Sequence, residues 1–219
     1  FNYPIYGSPG TPFDSNTYLL TVSAADLGGG GRGVTNSIAT DVLGKPYSAA
    51  ITLDDDGGGA NWYFDPTPSD DAEFTSLLNQ FSADGSNALG GNDFYRTIVH
   101  EMGHAMGISV GGTEAINNLL TVYGVDPVDG VSNLYLFQGA TVTASLTDNG
   151  GGHIYEGPSV GGNPVHPFDL MNAGRTVGFP PPTRELITDL NAQILADAYN
   201  YTICLLYTSP SPRDVEESR

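Results

Sequence analysis

The sequence predicts an α+β fold, and three observations carry that expectation. Runs rich in β-branched and aromatic residues fill the first third of the chain. Helical spacing of apolar residues dominates later segments. One of those helices carries two histidines four residues apart. TYLLTVS (17–23) and SAAITLD (48–54) read as strands, and VTNSIATDVLG (34–44) between them reads as a helix ending at Gly44. DDDGGG (54–59) is a loop. NWYFDP (61–66) is a short strand stopped by Pro66.

SDDAEFTSLLNQFSADG (69–85) reads as a helix. Ser69 caps it, acidic residues Asp70, Asp71 and Glu73 suit its positive start, and Phe74, Leu77, Leu78 and Phe81 share one face. NDFYRTIVHEMGHAMG (92–107) is a second helix, capped by Asn92 or Asp93 and ended by Gly107. Phe94, Ile98, Val99, Met102 and Met106 are its apolar positions. TEAINNLLTVYG (113–124) suggests another short helix. LYLF (134–137) and ATVTASL (140–146) form a hairpin pattern, and NGGGHIYEGPSVGGNP (149–164) is a glycine-rich loop. PTRELITDLNAQILADAYNY (182–201) closes the pattern as a helix with Leu186, Leu190, Ile194 and Leu195 on one side.

Composition narrows the function classes. The formal charge is −18 with only seven Lys and Arg, so nucleic acid and anionic membrane surfaces are poor partners. No run of about 18 apolar residues is present, so no membrane-inserted segment is expected. The acidity fits an extracellular, secreted protein. Asp54, Asp55 and Asp56, with Asp65, Asp70 and Asp71, make Ca²⁺ a candidate ligand through hard oxygens, although no EF-hand spacing is present and a solvated acidic loop competes with that reading. Residues 1–203 are expected to form a single domain, with an N-terminal part over 1–107 and a C-terminal part over 108–203. CLLYTSPSPRD (204–214) reads as a translated sequencing adapter, so 204–219 is expected to be read-through, and with it Cys204, the only cysteine.

The chemistry concentrates in HEMGHAMG (100–107). Residues four apart on a helix lie one above the other, so His100 and His104 can reach a single Zn²⁺. Glu101 stands at the edge of the same site, placed to act as general base on a water that zinc makes acidic. Gly107 lets the chain leave the helix sharply and turn later residues back towards the metal. Only His153 and His166 remain among the histidines as a third ligand; Glu156 and Asp169 are carboxylate alternatives. His153 is favoured, because its glycine-rich loop can approach a metal closely.

HExxHxxG resembles the start of the zinc signature of the metzincin clan of endopeptidases. Most members carry a third histidine where this chain has Val110. The chain is more similar to the leishmanolysin-like branch and to bacterial matrixin-like relatives, which interrupt the motif after the glycine. ITLDDDGGGANWYFDPTP and GNDFYRTIVHEMGHAMGI share their flavour, and DLMNAG (169–174) looks like the methionine turn that follows the third ligand, with Met171 as its methionine. The resemblance implies a twisted mixed sheet with long helices, among them the HExxH helix. It also implies a smaller C-terminal subdomain with the methionine turn and a last helix. It implies that Met171 packs under the metal without binding it, and that the strand around 49–54 is the edge strand lining the cleft. The expected function is hydrolysis of protein or peptide substrates by a secreted zinc endopeptidase. The alternatives are a non-catalytic adhesion or binding domain on that scaffold, and zinc hydrolysis of a non-peptide amide.

Overall fold

β-branched and aromatic residues at alternating positions build the N-terminal sheet. In the computed structural model, which describes residues 18–59, 61–67, 92–167, 169–172 and 186–202, strands β1 (Leu19–Ala25), β2 (Gly33–Thr40) and β3 (Pro46–Asp54) form it in the order β1-β3-β2. β1 runs parallel to β3 and β2 antiparallel to it, so the sheet is mixed as expected. β3 is central and carries the buried residues Ala49, Ile51 and Leu53, which pack with Ala105 of the following helix. Full burial of a side chain such as Ile51 stabilises by about 1.5–3 kcal/mol.

Two expectations change here. VTNSIATDVLG is not a helix: 33–40 is strand β2, and 41–44 is a turn. Val34, Thr35, Ile38 and Thr40 lose less rotamer freedom in a strand than in a helix. Asp41 closes the turn by accepting N–H bonds from Leu43 (2.8 Å) and Lys45 (2.9 Å), and Gly44, at φ +78°, is its left-handed residue rather than a helix end. Strand 46–54 is the centre of this sheet, not its edge; among the described residues the edges are β1 and β2.

The acidic loop 54–59 is tied down from within. The Asp54 carboxylate accepts N–H bonds from Leu27 (2.8 Å), Asp56 (3.1 Å) and Gly58 (2.7 Å), while its carbonyl takes the Trp62 indole N–H at 2.8 Å. Trp62 and Tyr63 form β4, shorter than expected, which pairs with the two-residue strand β5 (Asn92–Asp93). The helix expected over 69–85 lies outside the described residues.

Helix α1 (Phe94–Ala105) starts where expected. Asp93 caps it by accepting the Tyr95 N–H at 3.1 Å. Its buried face holds Thr97, His100, Glu101, Gly103, His104 and Ala105, while Met102 is exposed rather than apolar core. Gly107, at φ +115°, ends the helix as predicted. A Cβ there would stand 2.5 Å from the ring of Tyr199, whose hydroxyl donates to the Gly107 carbonyl at 2.8 Å.

The segment 113–124 is only partly helical. α2 covers Glu114–Asn117, and β6 follows at Leu120–Val125. Two asparagines end the helical turn, and Thr121, Val122, Tyr123 and Val125 suit a strand. β6, β7 (Asn133–Gln138), β8 (Thr143–Thr147) and β9 (His153–Ile154) make an antiparallel sheet in sequence order. β7 and β8 are the expected hairpin.

The last helix, α3, spans Asp189–Tyr199 and begins later than the pattern implied. Thr188 caps it through a reciprocal box with Asn191, and Leu186 lies before the helix, exposed. Ile194, Leu195 and Tyr199 pack with Phe137, Leu146, Ile154, Leu170 and Met171 in the larger of two apolar clusters. α+β therefore holds, with α1, α2 and α3 as the helices of the described residues. None of these is long and apolar enough to cross a membrane.

Candidate metal centre

α1 presents His100 and His104 on its buried face, and β9 brings His153 to them from the opposite sheet. The Nε2 atoms of His100 and His104 are 3.1 Å apart, and those of His104 and His153 are 3.2 Å apart. Each ring's other nitrogen meets a backbone carbonyl. His100 Nδ1 lies 2.6 Å from the Leu170 oxygen, His104 Nδ1 2.6 Å from that of Ile108, and His153 Nδ1 2.7 Å from that of Asn149. A carbonyl only accepts, so each Nδ1 carries the proton and donates it. Each Nε2 therefore carries a bare lone pair.

Three lone pairs facing one another at these distances repel unless a cation sits among them. Burial favours the same neutral state. It holds His100 well below the usual imidazole range, helped by the charges of His104, His153 and Arg96. It lowers His104 as well, and it pushes His153 down to about 3. These residues can hold a metal ion: their ligand atoms lie within 4.8 Å of one another. Imidazole nitrogens are donors that suit divalent transition-metal ions.

The local sequence explains how the third histidine arrives. After Gly107 the chain turns, and the Ile108 carbonyl comes back to orient His104. Gly152, at φ +99°, lies so close to the backbone of Ser109 and Val110 that no Cβ would fit. The glycine-rich loop thus packs on the Ser109–Val110 backbone and carries His153 to the helical pair. β9 is held in turn by residues 169–172, through an Ile154 N–H to Met171 carbonyl bond of 2.9 Å and a bridge between Ile154 and Asn172.

Met171 is fully buried and packs against Gly103, between the two helical histidines in sequence, where a side chain would collide with its thioether. Asp169 does not join the ligand set. Its carboxylate accepts from the Met171 N–H (2.8 Å), the Thr188 hydroxyl (2.7 Å) and the Asn191 amide (2.7 Å). Glu156 is buried outside the three-histidine group. His166 lines a separate cavity of about 280 Å³ with Val165, Pro167, Asp169, Thr188 and Leu190.

Glu101 is buried at the edge of the centre. The Thr35 hydroxyl reaches both its carboxylate (2.7 Å) and its carbonyl (2.8 Å). Gly33, two residues earlier on β2, leaves room for the carboxyl; a Cβ there would lie 2.9 Å from it. Burial raises the Glu101 pKa, and the Thr35 bond partly opposes the rise. A cavity of about 460 Å³ opens onto the three histidines and Glu101, bordered by β2 and by Arg96, Ser109 and Asn172.

Gly33, Thr35, Ser109 and Asn172 were not singled out by the sequence. Arg96 had a legible signal, since it lies four residues before His100 and so on the same helix face. No family model, curated protein or solved structure matches the chain.

Proposed function

We propose that the chain is the catalytic domain of a secreted zinc-dependent endopeptidase of the metzincin type, similar to its leishmanolysin-like and bacterial matrixin-like members. The observation that carries this reading is the convergence of three unprotonated histidine nitrogens beside a buried glutamate in one open cavity. A structural metal site has no use for that glutamate. Imidazole donors suit zinc among the common divalent ions.

When bound, zinc acidifies a water and polarises the scissile carbonyl. Glu101 takes the proton from the attacking water and passes it to the departing amine. Its raised pKa brings it closer to the working range of such a shuttle. Thr35 fixes the rotation of the carboxylate. A peptide substrate is favoured by β2: this strand is an edge among the described residues, and Gly33, Val34, Thr35 and Ile38 border the cavity. An extended peptide can add to such an edge by main-chain hydrogen bonds.

The test is Glu101→Gln, assayed by mass spectrometry on a peptide library alongside metal analysis. Hydrolysis should fall by about 10²–10⁴-fold while bound zinc stays the same. Unchanged turnover in the variant overturns the mechanism.

A further inference from the structure

The chain carries 25 Asp and Glu against seven Lys and Arg, for a net charge of −18. The cavity at the three histidines reverses that balance. The described residues include three basic side chains, Arg32, Lys45 and Arg96. Lys45 lies over the ring of Tyr201, 4.2 Å from its centre. The other two both line the cavity, where Glu101 is the single acidic residue among the described residues. Much of the remaining lining is glycine, which adds main chain and no charge.

The two arginines act in different ways. Arg96 is buried on the face of α1 that carries His100, one turn away. Its charge is felt at His100 and His153, where it disfavours a further positive charge. A buried charge is screened less by salt than an exposed one, so Arg96 keeps the cavity positive without touching a ligand. Arg32 precedes Gly33, the first residue of β2, and is only half-buried, so it can meet an anion directly. Alternate residues face opposite sides of a strand. A cavity bordered by Arg32 and Val34 as well as by Gly33 and Thr35 therefore runs along the free edge of β2. Both arginines also interact within the fold. A guanidinium has five N–H donors and a carboxylate engages two of them, so such an interaction does not exhaust it.

We propose that the cavity selects acidic peptides and that Arg32 is the specificity-determining residue, receiving the carboxylate of an Asp or Glu near the scissile bond. The proposal rests on the endopeptidase reading and names the substrate class of that site. The rest of the surface does not produce this preference. At a net charge of −18 it repels an acidic peptide except where positive charge is concentrated. A neutral peptide is held by main-chain bonds to β2 alone, and a basic side chain beside Arg32 meets repulsion.

The experiment uses the full chain in saturating Zn²⁺. Its probes are three pools of random octapeptides without charged side chains, except for a fixed Asp, Asn or Lys at the centre. Asp and Asn have nearly the same shape, so their ratio isolates the charge. Wild type should consume the Asp pool about tenfold faster or more than the Asn pool, the value of a hydrogen bond to a charged group. Arg32→Gln should remove most of that ratio, and Arg32→Glu should favour the Lys pool over the Asp pool. Equal consumption of the Asp and Asn pools by wild type overturns the proposal. So does an unchanged ratio in Arg32→Gln, which would mean that the carboxylate is drawn by the metal and not by the arginine. The two readings fail separately. If wild type cleaves all pools alike, acid selection is wrong and the endopeptidase stands. If wild type cleaves nothing but retains the Asp pool over the Asn pool, and Arg32→Gln loses that difference, acid recognition stands and the hydrolytic reading is wrong.

Discussion

Two imidazoles on one helix face can touch a metal ion, but they leave half of a tetrahedral shell to water. A third ring would supply the arm that fixes a bound ion. His153 is placed to do so, with its Nε2 at 3.2 Å from that of His104 and its tautomer set by the Asn149 carbonyl. His166, the other histidine outside the motif, faces a different cavity. Alanine at position 153 should therefore weaken zinc by more than the roughly 10–100-fold that follows loss of an orienting partner. Alanine at 166 should leave zinc binding unchanged, and titration against a competing chelator separates the two. The preference for His153 was legible because glycines on its N-terminal side let a loop come close to other backbone. Its contacts were not. Thr35 and Gly33 reach Glu101 only because 33–40 is a strand lying on α1, and a segment taken for a helix offers no reason to place them there.

Elements show where local pattern decides and where packing overrides it. α1 was legible from end to end, because cap, apolar spacing and terminal glycine agree. Segments 34–44 and 113–124 were not, since short mixed runs satisfy both periods and pairing with the next strand in the chain decides between them. The turn at 169–172 is held by one side chain. Asp169 joins Met171 to the cap of α3 through three hydrogen bonds, and the next carbonyl, that of Leu170, orients His100. Asp169→Ala should cost about 2–4 kcal/mol in urea unfolding, by leaving buried donors unpaired, and should weaken zinc although Asp169 does not touch it. The 54–59 loop behaves in the same way. Backbone N–H groups of Gly58 and Leu27 hold the Asp54 pKa down at about 2, from an ordinary 3.8. Because the folded value is depressed, the stabilisation is fully present above the unfolded value and is lost as pH falls through 2. A carboxyl chemical-shift titration should place the Asp54 midpoint near 2, and Asp54→Asn should remove that step.

At the scale of the molecule, the candidate metal centre is where separately built parts meet. α1 packs on the N-terminal sheet, and His153 belongs to the C-terminal sheet. The turn at 169–172 carries the carbonyl that orients His100, and its Asp169 is bonded to the cap of α3. A cation bound to all three histidines therefore joins pieces that are far apart in sequence, and it binds the folded chain far better than the unfolded one. Linkage then requires stability to rise with free metal, by about 2.7 kcal/mol when the free concentration is 100 times the dissociation constant. For a chain of this size, that is a melting-temperature rise of about 5–11 °C. Scanning calorimetry should show this rise when zinc is added to chelator-treated wild type, and EDTA should reverse it. His153→Ala should melt at the same temperature with and without zinc, close to the metal-free wild type. If zinc raises the melting temperature of the variant as much as that of wild type, the stabilising ion is bound somewhere other than the three histidines. Glu101→Gln should keep the full zinc response, because the proposed mechanism gives the glutamate a role on the substrate and none in the ligand shell. Loss of the response in that variant would mean that Glu101 is a ligand instead of a base.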